Sequence, residues 1–77
     1  MTIQVKYFAS LRETIGRSSD DLSITDAITV EDVWNQATAN MQRPENVLVA
    51  VNQEYANFSK QVHDGDEVAF FPPVTGG

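Results

Sequence analysis

Apolar and polar residues alternate from Ile3 to Ala9: Ile3, Val5, Tyr7 and Ala9 fall on one side, Gln4, Lys6 and Phe8 on the other. A period of two predicts a half-buried strand whose outward face ends in a large aromatic. Phe8 is therefore either covered by a neighbouring loop or strand, or free to anchor a partner. Ser10 to Ser19 is largely polar, contains Gly16 and reads as a loop or short turn. Leu22 and Ile24 then alternate about Ser23, predicting a short second strand hairpin-paired with the first. Thr29 opens the one clear helix. It can cap, with Asp32 three residues on completing a Thr-x-x-Asp box and Glu31 and Asp32 lying in the positive first turn. Val30, Val33, Trp34, Ala37 and Met41 follow three-and-four spacing, so the helix is expected to reach about Asn40 or Met41 before Pro44 stops it. Trp34 is the largest core candidate.

Beyond the helix, Val47 to Val51 is a continuous apolar run of strand length, the best candidate for an interior strand. Asn52 and Gln53 suit a turn into a short edge piece, Glu54 to Ala56, and Phe58 reads as a packing residue. His63-Asp64-Gly65-Asp66 signals another turn. The last strand is Glu67 to Phe71, with Val68 and Phe70 on one face and Glu67, Ala69 and Phe71 on the other. These elements predict an α+β domain, a mixed sheet wrapped across one helix, with the first and last strands paired in parallel.

Composition narrows the chemistry. Seventy-seven residues make one small domain, and the chain has no cysteine. A disulfide framework, a thiolate metal site and a cysteine nucleophile are all excluded. The formal net charge of −6 comes from eleven acids against five bases, which argues against nucleic acid as a partner and favours a basic protein surface. No apolar run has the length of a membrane span or signal peptide, so the expected setting is cytoplasmic, without a membrane partner. His63 is the only histidine and, without companions, reads as a solvated turn residue.

The last eight residues, Phe70-Phe71-Pro72-Pro73-Val74-Thr75-Gly76-Gly77, carry the most distinctive pattern. Pro72 and Pro73 hold an extended backbone, so the chain should leave the body as a spacer. Gly76 and Gly77 have no β-carbon, leaving only backbone beside the terminal carboxylate. From Pro72 to Gly77 an extended chain spans roughly 20 Å, enough to enter a partner's active site. Read blandly, the same stretch is a frayed end. Phe8 and Phe71, on outward faces of two strands, would flank the tail's root.

Those residues resemble the small subunits of molybdopterin synthase, sulfur-carrier proteins of the ubiquitin-like β-grasp class. The resemblance is carried by Phe8-Ala9-Ser10-Leu11-Arg12-Glu13 with Gly16, by Ala50-Val51-Asn52, and above all by Asp64 through Gly77. It implies a β-grasp domain over residues 1–71 and a flexible tail over 72–77. It implies further that an ATP-dependent adenylating enzyme activates the Gly77 carboxylate and that a sulfur donor protein converts it to a thiocarboxylate. The tail would then enter the synthase large subunit and deliver sulfur to a cyclic pyranopterin monophosphate, building a dithiolene. Gly77, with Gly76, would be the chemical site; Phe8, Phe71, Pro72, Pro73, Val74 and Thr75 would contact partners. No cofactor would be held stably, since ATP is consumed on the adenylating partner, and the chain would be a co-substrate more than an enzyme. A thiamine-type sulfur carrier, a ubiquitin-like modifier of lysines and a non-catalytic interaction domain are the alternative readings.

Overall fold

A computed structural model describes residues 1–43 and 46–73. Five strands form a mixed sheet: β1 (Thr2–Tyr7), β2 (Ser19–Ser23), β4 (Leu48–Val51), β5 (Glu54–Ala56) and β7 (Glu67–Phe71), in the order β2-β1-β7-β4-β5. A second, two-stranded sheet joins β3 (Ile28–Thr29) to β6 (Gln61–Val62). Among the described residues there are two helices, α1 (Ser10–Ile15) and α2 (Val30–Ala37). As expected, β1 and β7 pair in parallel, with Val5 opposite Val68 and Tyr7 opposite Phe70, while β1 and β2 are antiparallel. Among the described residues no helix is long and apolar enough to cross a membrane.

The period of two sends alternate side chains of each strand into one core. Ile3, Val5 and Tyr7 of β1, Val49 and Val51 of β4, and Val68 and Phe70 of β7 are all buried, against Val30, Val33 and Trp34 of α2. Phe70 is the aromatic centre: its ring stacks at 6.3 Å from Tyr7 and 6.0 Å from Phe58, and meets Trp34 edge-on at 5.1 Å. The apolar run read as an interior strand does lie between two neighbours, but only one of its faces is sealed. Leu48 and Ala50 are half-buried on the sheet's outer face.

α2 begins as its sequence dictates. The Thr29 hydroxyl accepts from the Asp32 amide at 3.2 Å, and the Asp32 carboxylate accepts from the Thr29 amide at 3.2 Å. Replacing Thr29 by Ala should lower unfolding free energy by about 1 kcal/mol, measurable by urea titration. The helix ends earlier than its apolar spacing suggested. Ala39 and Asn40 turn left-handed, at φ 55 and 63, and the Asn40 amide donates back to the Asn35 carbonyl at 2.7 Å. The Trp34 indole donates to the Met41 carbonyl at 2.8 Å, and Arg17 donates to the Ala37 carbonyl at 2.6 Å. These bonds wrap the chain over the helix end, leaving Met41 exposed; Pro44 lies outside the described residues.

The segment read as a loop contains α1, which buries Leu11 and Ile15 and closes on Gly16 at φ 88. That corrects the sequence reading. The spacing of Leu11 and Ile15 followed by glycine was the available signal.

At the pole away from the tail, hydrogen bonds tie three segments together. Asn52 and Gln53 take the positive φ of a tight turn. The Asn52 amide group donates to Asp66 Oδ1 at 3.0 Å, its side-chain oxygen accepts from the Glu67 amide at 3.0 Å, and Asp66 Oδ2 accepts from the His63 amide at 2.7 Å. The Asn52 bond chiefly holds the Asp66 carboxyl below its ordinary pKa, assisted by the His63 amide. A depressed folded-state pKa means stability present above the unfolded value and lost as pH falls through the folded one. The thermal midpoint should therefore drop on acidification below about pH 4, and Asp66→Asn should flatten part of that drop. An identical acid response in the variant would show that Asp66 contributes none of it.

Candidate functional site

The site is built from the C-terminal end of β7 outward. Alternation along β7 sends Phe70 into the core and leaves Phe71 on the outer face, half-buried, where it pairs across the ladder with Leu48. Beside them Ala69 pairs with Ala50, and Ala50 with Tyr55. These side chains give the outer face an apolar half. Its other half, over β1 and β2, is polar, and the Lys6–Glu67 ion pair at 3.4 Å marks the border. Such an exposed pair adds little stability, but it confines the apolar surface to the side from which the tail departs.

Phe71 has an unexpected companion. Its ring lies 5.8 Å from that of Tyr55, which is 75% exposed on the edge strand β5. The sequence treated Glu54 to Ala56 only as an edge piece, so Tyr55 was missed as part of this surface. The only available signal was an aromatic in an otherwise polar turn-flanking stretch.

Phe8 follows the core-facing Tyr7 and stands 47% exposed. It is held at the tail's root because its amide donates to the Phe70 carbonyl at 3.1 Å. The residue before it is locked more firmly still. The Tyr7 hydroxyl donates to Asp20 Oδ2 at 3.0 Å, and the same oxygen accepts from Arg17 Nε at 2.6 Å. Burial, then the Asp20 carboxylate, pushes the Tyr7 hydroxyl well above the usual phenol pKa. It stays a neutral donor throughout the working pH range. The structure thus brings Phe8 and Phe71 to neighbouring strand ends, with Pro72 and Pro73 partly exposed just beyond. Val74, Thr75, Gly76 and Gly77 lie outside the described residues.

No group of His, Asp and Glu side chains among the described residues is arranged to hold a metal. His63 is solvated, 3.8 Å from Asp66. An open groove beside β5, lined by Val51, Glu54, Tyr55, Ala56, Asn57 and Lys60, contains no nucleophile activated by a base. What the arrangement does offer is a rigid strand end inside an apolar surface, from which a chain terminus can be presented.

The ThiS family model matches residues 5–77. The molybdopterin synthase sulfur carrier subunit of Escherichia coli (strain K12) is 41% identical over 81 aligned residues, covering 97% of this chain and 99% of its own. The protein of the same description from Chlamydomonas reinhardtii is 36% identical, with 100% of both chains covered. Among solved structures, SAMP1 from Haloferax volcanii superposes with a TM-score of 0.84 at 26% identity, again over 100% of both chains. The fold common to them is a mixed sheet wrapped around one main helix, the ubiquitin-like β-grasp.

Proposed function

The chain belongs to the ThiS family, and on that premise we propose that it is the sulfur carrier of molybdopterin synthesis. The observation that carries this reading is the likeness, over nearly its whole length, to a molybdopterin synthase sulfur carrier subunit, ending in the strand-proline-proline-Val-Thr-Gly-Gly tail. Residues 1–71 are the body and 72–77 the working tail. A free carboxylate is a poor electrophile, because oxide would have to leave. On the adenylating enzyme a Gly77 carboxylate oxygen attacks the α-phosphorus of ATP and pyrophosphate departs. Sulfide-level sulfur from a donor protein then attacks the acyl carbon, the C–O bond to AMP breaks, AMP leaves, and the C-terminus becomes a thiocarboxylate.

The chain next docks on the large subunit of molybdopterin synthase. Phe8, Phe71 and Tyr55 meet that partner around the tail's root, while Pro72 and Pro73 direct Val74 and Thr75 along its channel. Extended backbone there can pair with the channel wall, and Gly76 fits its narrowest part. The large subunit supplies the acid–base groups and the pterin site. The small chain supplies the sulfur, returns as the carboxylate, and is a co-substrate with no catalytic site of its own. We place the cycle in the cytoplasm, where the adenylating enzyme draws on ATP.

Incubation with the adenylating enzyme, ATP and a sulfur source should exchange one C-terminal oxygen for sulfur, read by intact-mass spectrometry. An unchanged mass, under conditions that convert an established carrier, would refute the proposal. The likeness to SAMP1 supports a second reading as a protein modifier, which predicts isopeptide-linked conjugates of this chain instead.

A further inference from the structure

One backbone feature at the docking surface is unexplained by packing alone. Ala9 sits at φ 54, ψ −130, a conformation in which an L-residue's β-carbon is crowded and which glycine normally supplies. It occupies the first central position of a tight turn that links β1 to α1. The Leu11 amide donates to the Phe8 carbonyl at 3.1 Å, and the Arg12 amide to the Ala9 carbonyl at 3.1 Å. The signs of φ and ψ, with that bond, define a type II′ turn. Backbone strain of this kind costs about 1–3 kcal/mol and persists only where surrounding structure enforces it.

Enforcement comes from three directions. Phe8 is tied through its amide to Phe70, Tyr7 donates from its amide to the Ser18 carbonyl at 3.0 Å, and Leu11 and Ile15 are buried just beyond the turn. The one large apolar side chain inside this rigid frame that stays substantially exposed is Phe8, at 47%. A relaxed Ala9 would redirect the peptide on its N-terminal side and swing Phe8 away from its present place beside the β7 strand end.

We propose that Ala9 is a positioning residue for partner docking, whose strained turn holds Phe8 outward beside the strand that carries the tail. The inference rests on the docking role given to Phe8 above. Preorganisation of this sort improves binding because the partner does not meet a population of misdirected side chains; apparent affinity scales with the competent fraction.

The test is a double-mutant cycle, with large-subunit affinity measured by calorimetry well below the melting temperature. Ala9→Val, whose branched β-carbon tolerates positive φ least, should weaken binding about tenfold. In a Phe8→Ala background the same change should have no further effect. Equal losses in both backgrounds, or no loss in either, would overturn the positioning role. If Phe8→Ala itself leaves affinity untouched, the docking role of Phe8 fails instead, so the two failures are distinguishable. Should Ala9→Val not fold, Ala9→Gly supplies the second measurement. Its thermal midpoint should rise, because strain is relieved; a fall matching glycine's entropic cost would mean that no strain is stored there.

Discussion

Removing Gly77, or adding a residue after it, is expected to abolish sulfur delivery while leaving the thermal midpoint unchanged. The first half follows from chemistry. Without the final glycine the terminal carboxylate moves back by about 3.5 Å, onto a residue that should sit in the channel. An extension removes the α-carboxylate from the position that must be adenylated. A step that depends on near-attack geometry tolerates displacements of about 1 Å poorly, so loss should be complete by product formation and not a modest slowing. The second half follows from the fold, because among the described residues the buried core closes at Phe70. A truncated chain that still forms the dithiolene would remove the carboxylate from the mechanism.

Phe70 and Phe71 should show opposite consequences of the same substitution. Phe70→Ala removes the ring that touches Tyr7, Trp34 and Phe58, and should cost about 3–5 kcal/mol. Against a total of roughly 5–15 kcal/mol for a native domain, that leaves much of the chain unfolded on modest heating. Phe71→Ala removes a half-buried ring from the outer face and should lower stability by much less. Its effect should appear in large-subunit affinity, where a central aromatic anchor can contribute about 2 kcal/mol or more. Paired urea titrations and calorimetry distinguish the two. Equal stability losses, with unchanged affinity for the Phe71 variant, would return Phe71 to the core.

Much of this architecture was legible in the residues because its physical causes are local. The alternation of Ile3, Val5 and Tyr7 against Gln4 and Lys6, and of Val68 and Phe70 against Ala69 and Phe71, survives intact in β1 and β7. The capping box at Thr29 and Asp32 and the turn at Asn52 and Gln53 also lie within a few residues of their signals. Elements decided by distant partners were not legible. β3 and β6 have two residues each, too few for any period, and exist only because they meet one another. The end of α2 is set by Arg17 and by the wrap of Met41 onto Trp34, contacts no helical spacing reveals. Tyr55 acquires meaning only when β4 brings β5 and β7 together. Ala9 is the sharpest case: the alternation carries the strand through it, whereas β1 ends at Tyr7 and Ala9 turns at φ 54. At the site, the tail's proline and glycine pattern could be read directly, whereas the surface around its root needed the sheet order.

The most direct measurement follows one sulfur atom. Purified thiocarboxylated chain, mixed with the large subunit and the cyclic pyranopterin precursor, should return to the carboxylate mass as dithiolene product forms. The consumption should match both sulfurs of each dithiolene. If the chain keeps its sulfur while product appears, or instead becomes joined to a lysine, it is not the sulfur carrier proposed.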